Sequence, residues 1–484
     1  MRSPIPAEPA QPGYRKLTGQ QVVSYLLLVV APTLAALVIL DLGADLPRPV
    51  AEATAATPLV PSALAVLRLP IFLTQIIVII AAARALGFVL RRLGQPAVVG
   101  EMLAGLLLGR SFLGFFAPAV YTWLFPVGTV RFLNALSQFG LVLFMFLVGL
   151  DVDGRETAGH RRTIAVIAHA GIAIPMLLGI ALALPLYATF ATSAASFTSF
   201  ALFLGCALSV TAFPVLARIL SERHLITTEF GRTAMACAAF ADVTAWIVLA
   251  FVLEVTRVGA ASRTGLAVGV LGTTVYVMFM LKVVRPWLAR WWASHTPHDG
   301  GDPFEHREGV LTTLLLVVLV SALATEFLGV QALFGAFLGG VVMPRGLSLR
   351  RALRVRFEDA LSILLLPLFF AYAGLRADIS SIRTDRDWGI FLAIVAVAVI
   401  GKIGGSALAA RTVGSSWRWA SALGVLMNAR GMMELVLLTI GLQAGIITPR
   451  LFTLMLLMAI VTTMMTTPLL GLVMPKAAEV KAGG

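Results

Sequence analysis

Charged residues are scarce in this chain: Asp, Glu, Lys and Arg supply 13% of its 484 residues, against 59% hydrophobic. That balance excludes a water-soluble globule, whose surface needs far more polar coverage. Cysteine is nearly absent, and the two present, Cys206 and Cys237, fall inside apolar runs, where they read as small buried filler rather than a disulfide framework or a metal site. Long polar stretches are also missing. The longest are the N-terminal 20 residues, the 43–66 connection and the charged 290–308 loop, so no soluble domain of any size is expected. Acidic residues (24) are outnumbered by basic ones (37), giving a formal net charge of +13, yet the basic residues lie in short connections rather than in a basic domain, which argues against nucleic acid as a partner.

What the chain has instead is apolar runs of the length a helix needs to cross a bilayer, roughly 20 residues. About fourteen spans are expected from the apolar windows, near 22–42, 69–90, 97–116, 132–150, 163–187, 198–218, 232–255, 265–282, 309–327, 329–343, 359–375, 388–410, 416–442 and 450–474. The fold class is therefore an all-α polytopic membrane protein. With the N-terminus inside, the inner connections collect Arg15 and Lys16, Arg91 and Arg92, Arg155, Arg161 and Arg162, Arg285 and Arg290, Arg345, Arg350, Arg351, Arg354 and Arg356, and the tail Lys476 and Lys481. The outer ones are poor or balanced, as in 376–387. Both tails, 1–21 and 475–484, are then cytoplasmic, and the first run, 22–42, reads as an uncleaved anchor helix.

Two spans carry polar or helix-breaking residues at depth. One contains Ser209-Val-Thr-Ala-Phe213-Pro214-Val-Leu-Ala217 and the other Met427-Asn-Ala-Arg430-Gly431-Met-Met-Glu434. Proline removes a helical donor, and Asn-Ala-Arg-Gly stands where an unbroken helix favours leucine. A proline alone can be a simple kink. Here the two breaks hold matching places, the fourth span of each of two five-span sets, 97–255 and 329–474. Sets with an odd number of spans that begin on opposite sides are inverted repeats, and paired broken helices in inverted repeats point to a midplane ion site.

Asp242 is the acid placed deepest, about 15 Å from the boundary at 1.5 Å per residue. An ionised carboxylate there costs about 2.5–3.5 kcal/mol on insertion scales, which marks relays, pathways and counter-ions; a structural ion pair or a permanently protonated carboxyl is the alternative. Such a group holds a proton or a small cation in turn. Lys402, flanked by Gly401, Gly404 and Gly405, is the second deep charge, either functional or stretched toward the inner headgroups. Arg430 and Glu434, at i and i+4, either neutralise one another or act at the crossing. Glu101, one turn from the inner boundary, suits a vestibule or interface; Glu326 sits at the far end of its span; His169 is taken as satisfied locally.

These residues resemble the monovalent cation:proton antiporter-2 family, especially its plant cation/proton exchanger branch and similar bacterial antiporters. The likeness runs from about 69 to 474. It is carried by Gln95-Pro with Glu101 and Gly109, Val148-Gly-Leu-Asp-Val-Asp153, Thr211-Ala-Phe-Pro-Val-Leu-Ala-Arg218, the Asp242 segment, Ala332-Leu-Phe-Gly-Ala-Phe337, Leu366-Pro-Leu-Phe-Phe370, Gly401-Lys402 and Met427-Asn-Ala-Arg-Gly-Met-Met-Glu-Leu435. The resemblance implies a thirteen-helix fold with one helix added in front, a mobile six-helix core against a dimerisation panel, and a homodimer in the cell membrane. It implies that Asp242 binds the transported Na⁺ or K⁺ and the proton, that Lys402 is the basic residue of the tenth family helix, and that Thr211 and Asn428 act at the crossing. No cofactor is implied. Ala241 stands where the family usually has Asn or Asp, which leaves Lys402 without that partner and implies an electroneutral exchange of one cation for one proton. Arg110 stands where proline is frequent. A potassium efflux channel and an exporter of a small organic solute are the alternatives; an intramembrane hydrolase lacks its catalytic constellation here.

Overall fold

The structure is a computed structural model describing residues 19–49, 68–151, 161–223, 225, 228–258, 263–295, 308–328, 331–344 and 347–474. Most of the two tails lies outside these residues. Each expected span overlaps a helix, because a chain in hydrocarbon must satisfy its backbone groups within the segment. Nine of the described helices are long and apolar enough to cross a membrane, and shorter apolar helices lie at Phe197–Ser209, Ala332–Val341 and Met433–Gln443.

In chain order, α1 runs from Gly19–Tyr25 through a π-helical turn, Leu26–Val30, into Ala31–Gly43. Then come α2 (Leu69–Arg92), α3 (Ala97–Leu108), two short helical turns, α4 (Val127–Asp151) and α5 (Arg161–Phe190). The first broken crossing is α6 (Phe197–Ser209) with α7 (Phe213–Glu222), followed by α8 (Glu229–Val258). Next, α9 joins Arg263–Phe279, Met280–Val284 and Arg285–His295, and α10 is Glu308–Phe327. After α11 (Ala332–Val341), α12 joins Leu347–Ala360, Leu361–Leu365 and Leu366–Arg376, and α13 joins Asp385–Val399, Ile400–Gly404 and Gly405–Thr412. The second broken crossing is α14 (Trp417–Met427) with α15 (Met432–Gln443), and α16 (Pro449–Val473) ends the described chain.

Two basic connections expected from the charge pattern are helical instead. Arg350, Arg351, Arg354 and Arg356 lie on the first part of α12, and Arg285 and Arg290 on the last part of α9. Arginine has good helix propensity, so charge at a span's end does not stop the helix.

Glycines set how closely the helices pack. A Cβ on Gly105 of α3 would fall 1.9 Å from the Ala371 carbonyl oxygen of α12, and one on Gly374 of α12 would fall 2.4 Å from that of Met102 on α3. The same reciprocal contact joins α4 and α11: Gly149 toward Phe337 O at 2.1 Å, and Gly340 toward Phe146 O at 2.2 Å. Gly100 of α3 and Gly335 of α11 likewise press on the preceding helices, against Gly87 N (2.5 Å) and Ser321 O (2.1 Å). Small residues let backbones approach where lipid offers no hydrophobic drive to associate.

Candidate ion site at the crossing of two broken helices

The interruption at Val210–Ala212 leaves the last carbonyls of α6 without helical donors, and Pro214 removes a further N–H. In a buried setting those carbonyls must be paired. Two cations do it. Arg430, 1% exposed, donates to Ala207 O (3.0 Å) and Leu208 O (2.7 Å). Lys402, fully buried, donates from Nζ to Ser209 O and to Gly171 O (2.8 Å). The second acceptor has its own cause: the helical donor for Gly171 O would be residue 175, and that is Pro175, inside α5. Lys402 therefore closes two gaps made by a proline and a helix end. Its ammonium does not reach for the inner headgroups, the alternative left open by the sequence.

The two interruptions touch directly. The N–H of Ala212 donates to Ala429 O (3.0 Å), and Thr211 Oγ1 donates to Met427 O (3.3 Å), capping the end of α14. The second break is also fastened to α16: Thr463 Oγ1 donates to Arg430 O (2.7 Å) and accepts from Arg430 N (3.2 Å), while Asn428 Nδ2 donates to Thr462 O (3.4 Å). Gly431 is needed for close approach, since a Cβ there would lie 2.9 Å from Val215 Cγ2. Thr211, Asn428, Arg430, Gly431 and Glu434 are thus brought together at one crossing, with Lys402 bound to the same helix end.

Several buried polar atoms there have no hydrogen-bond partner among the described residues: Asn428 Oδ1, Arg430 Nε, Glu434 Oε1 and Ser406 Oγ. The Arg430–Glu434 pair exists, NH1 to Oε2 at 3.4 Å, but it is the longest of the Arg430 side-chain contacts. Neutralisation of one by the other is only part of what holds them.

Asp242 lies on α8; its side chain, with those of Phe213 and Pro214, is outside what the structure describes. Helical register puts position 242 on the face shared by Ala238, Ala245 and Leu249, all buried. Ala245 and Leu249 border a small hollow with Val210 of the first break and Met433 and Leu437 of α15. Ala241 is itself buried.

Of the other sequence candidates, His169 is half-buried, its Nδ1 3.2 Å from Tyr25 Oη of α1. Glu326 accepts the N–H of Ala332 at 2.7 Å, at the start of α11. Cys206 and Cys237 are free and buried. Sequence reasoning passes over Gly171, Pro175, Thr462 and Thr463, and names Ser209 only as the start of the first broken stretch. Only Pro175 left a signal, as a proline inside an apolar run that orphans the carbonyl four residues before it.

Two interrupted helices crossing inside an all-helical membrane protein, with their loose ends held by buried cations and hydroxyls, define a polytopic protein of the discontinuous-helix type. Residues 76–474 match the model of the transmembrane sodium/hydrogen exchanger family, and the chain belongs to that family. It is 38% identical to the Na(+)/H(+) antiporter NhaS4 of Synechocystis over 84% of this chain and 98% of that one. It is 39% identical to cation/H(+) antiporter 17 of Arabidopsis thaliana (83% of this chain, 48% of the relative) and 34% to K(+)/H(+) antiporter 1 of Saccharomyces cerevisiae (84% and 47%). The chain spans about half the length of these plant and yeast relatives. The solved structure of the sodium proton antiporter MjNhaP1 from Methanocaldococcus jannaschii at pH 8 superposes with a TM-score of 0.58, at 16% identity, over 86% of this chain and 99% of that one, a likeness of fold.

Proposed function

We propose that this protein is a Na⁺ or K⁺/H⁺ antiporter in which Asp242 binds a dehydrated monovalent cation and a proton in turn, as the unit carrying the two broken crossings changes the side it faces. The observation that carries the reading is the meeting of the two breaks at Ala212–Ala429, packed in one cluster with Ala238 and Ala241 of α8, the helix that carries position 242. Carbonyls and side-chain oxygens around Thr211 and Asn428 replace part of the cation's hydration shell. The reciprocal glycine contacts, α3 on α12 and α11 on α4, support two inverted repeats. The protein works as a homodimer in the cell membrane with both ends cytoplasmic, as the basic inner connections favour. With Ala241 beside it, Asp242 on its own exchanges one cation for one proton and moves no net charge.

Competition for one carboxylate fixes a sign: apparent cation affinity weakens as pH falls through the site's pKa. The test is proton flux in sealed proteoliposomes, scanned over Na⁺, K⁺ and Li⁺ and over pH. Asp242→Asn is expected to reach the membrane and to abolish exchange; wild-type flux in that variant removes Asp242 from the mechanism, and K⁺ movement without protons identifies a channel instead.

A further inference from the structure

Glu434 is the second acid to consider, and resting on the antiport reading above, we propose that it is a proton carrier coupled to Asp242: it releases its proton to the open side when a cation enters and recovers it when the cation leaves. Four observations converge. Glu434 is 1% exposed, within the interrupted crossing itself. Its Oε1 has no hydrogen-bond partner among the described residues. Its Oε2 meets Arg430 at 3.4 Å, long beside the 2.7–2.9 Å usual for a charge-assisted bond. Arg430 meanwhile keeps its shorter bonds on Ala207 O and Leu208 O, so a proton on Glu434 leaves the guanidinium anchored and the crossing intact.

A small apolar hollow lined by Val210, Ala245, Leu249, Met433 and Leu437 lies between α15, which carries Glu434, and α8, which carries position 242. Charge supplies the coupling. With Glu434 protonated, the buried positive charge of Arg430 opposes cation entry; with Glu434 ionised, that charge is balanced. By reciprocity, a cation at Asp242 favours loss of the Glu434 proton as much as that loss favours the cation. Other ionisable groups stand on the segments Phe197–Ser209, Leu366–Arg376, Pro449–Val473 and Ala97–Leu108 beside α15. They are Cys206 of α6, Tyr372 and Arg376 of α12, Arg450 of α16, which pairs with Asp387, and Glu101 of α3, whose neighbour Val98 lies against Gly431. More than one proton then leaves per cation, and the exchange moves net charge, unlike the one-for-one exchange of Asp242 alone.

The test is equilibrium Na⁺ and K⁺ binding to the purified full-length protein across pH. Competition with one proton changes apparent Kd by at most about tenfold per pH unit, and with two by up to about a hundredfold. The wild type is expected to exceed the tenfold slope, Glu434→Gln to fall back to it, and Glu434→Asp to keep the steep dependence. Should Glu434→Gln fail to assemble, proton release from the wild type on adding Na⁺ or K⁺ decides alone: more than one proton per cation supports the coupling, and one or fewer overturns it. Equal slopes in wild type and Glu434→Gln overturn it too, while leaving Asp242 untouched; cation binding by Asp242→Asn that matches wild type instead overturns the antiport reading beneath it.

Discussion

The ammonium of Lys402 donates to the carbonyl of Ser209, the last residue of α6, and so joins the middle of one crossing to the broken end of another. The same nitrogen closes the gap that Pro175 leaves at Gly171. Lys402→Met strips both carbonyls of their donor, and an unsatisfied buried group costs about 1–3 kcal/mol. Detergent-solubilised Lys402→Met is expected to unfold well below wild type on heating, and Lys402→Gln, which still offers an N–H, to fall between them. A methionine variant with the wild-type unfolding temperature would show that these contacts hold nothing together.

Helix contact at Gly105 is a backbone contact. Its Cβ would overlap the Ala371 carbonyl, so even Gly105→Ala must push α12 away, at a cost on the order of 1–3 kcal/mol. Gly340→Ala meets Phe146 O in the same way. Gly389 on α13 is the control, with nothing within 4 Å of an added Cβ, and there alanine gains about 0.5–1 kcal/mol of helix stability. Thermal unfolding of the three variants checks the order: Gly105→Ala and Gly340→Ala below wild type, Gly389→Ala at or above it.

Much of this fold is legible in the sequence because lipid leaves a spanning segment few choices: Leu69–Arg92 or Pro449–Val473 must be helix. The breaks are legible for the same reason in reverse, since Pro214 and the Asn428–Gly431 stretch withdraw what a helix requires. Short sequence echoes accompany the two proposed five-span sets. Ala97-Val-Val-Gly100 with Gly105 echoes Ala332-Leu-Phe-Gly335 with Gly340, and Leu143-Phe144 with Gly149-Leu150 echoes Leu368-Phe369 with Gly374-Leu375, and these glycines make the reciprocal contacts. What cannot be read is which acceptor each buried cation finds. Ser209 O and Gly171 O are backbone atoms far from Lys402 in sequence, and only folding brings them to it. Nor do residue types reveal that Arg430 binds α6 more closely than its i+4 neighbour, or that the helix holding Arg350 to Arg356 continues unbroken into the apolar part of α12.

The N-terminal end of α13 carries a charge network with a measurable coupling. Asp387, 2% exposed, accepts from the backbone N–H groups of Arg383 (3.2 Å) and Thr384 (3.1 Å), completes a capping box with Thr384, and pairs with Arg450 at the start of α16. Asp387→Ala removes the acidic half of the capping box and the pair together, at a cost of about 2 kcal/mol, while Thr384 keeps its own cap bond. Arg450→Ala costs less, because Arg450 is 34% exposed and Asp387 keeps its two backbone donors. A double-mutant cycle on unfolding is expected to show positive coupling between them. Strict additivity would mean that the pair adds nothing to the cap.

Two contacts of α1 fall on helices of the unit that carries the breaks. Tyr25 meets His169 of α5, whose ring also stands edge-on to Phe240 of α8 at 5.0 Å between centroids, two residues before Asp242. At the other end, Gly43 leaves no room for a side chain, since a Cβ there would lie 2.0 Å from the Phe197 ring of α6. On the alternating-access reading proposed above, a helix held by α5 and α6 travels with them. Joining Tyr25→Cys to His169→Cys with a bifunctional thiol reagent is therefore expected to leave exchange in proteoliposomes within about twofold of the unlinked double variant, because a loss on the order of tenfold would mean a barrier raised by about 1.4 kcal/mol. The native cysteines do not interfere, both being buried. Exchange that stops on linking, and returns when the link is cleaved, would mean that α1 stays still while α5 slides past it.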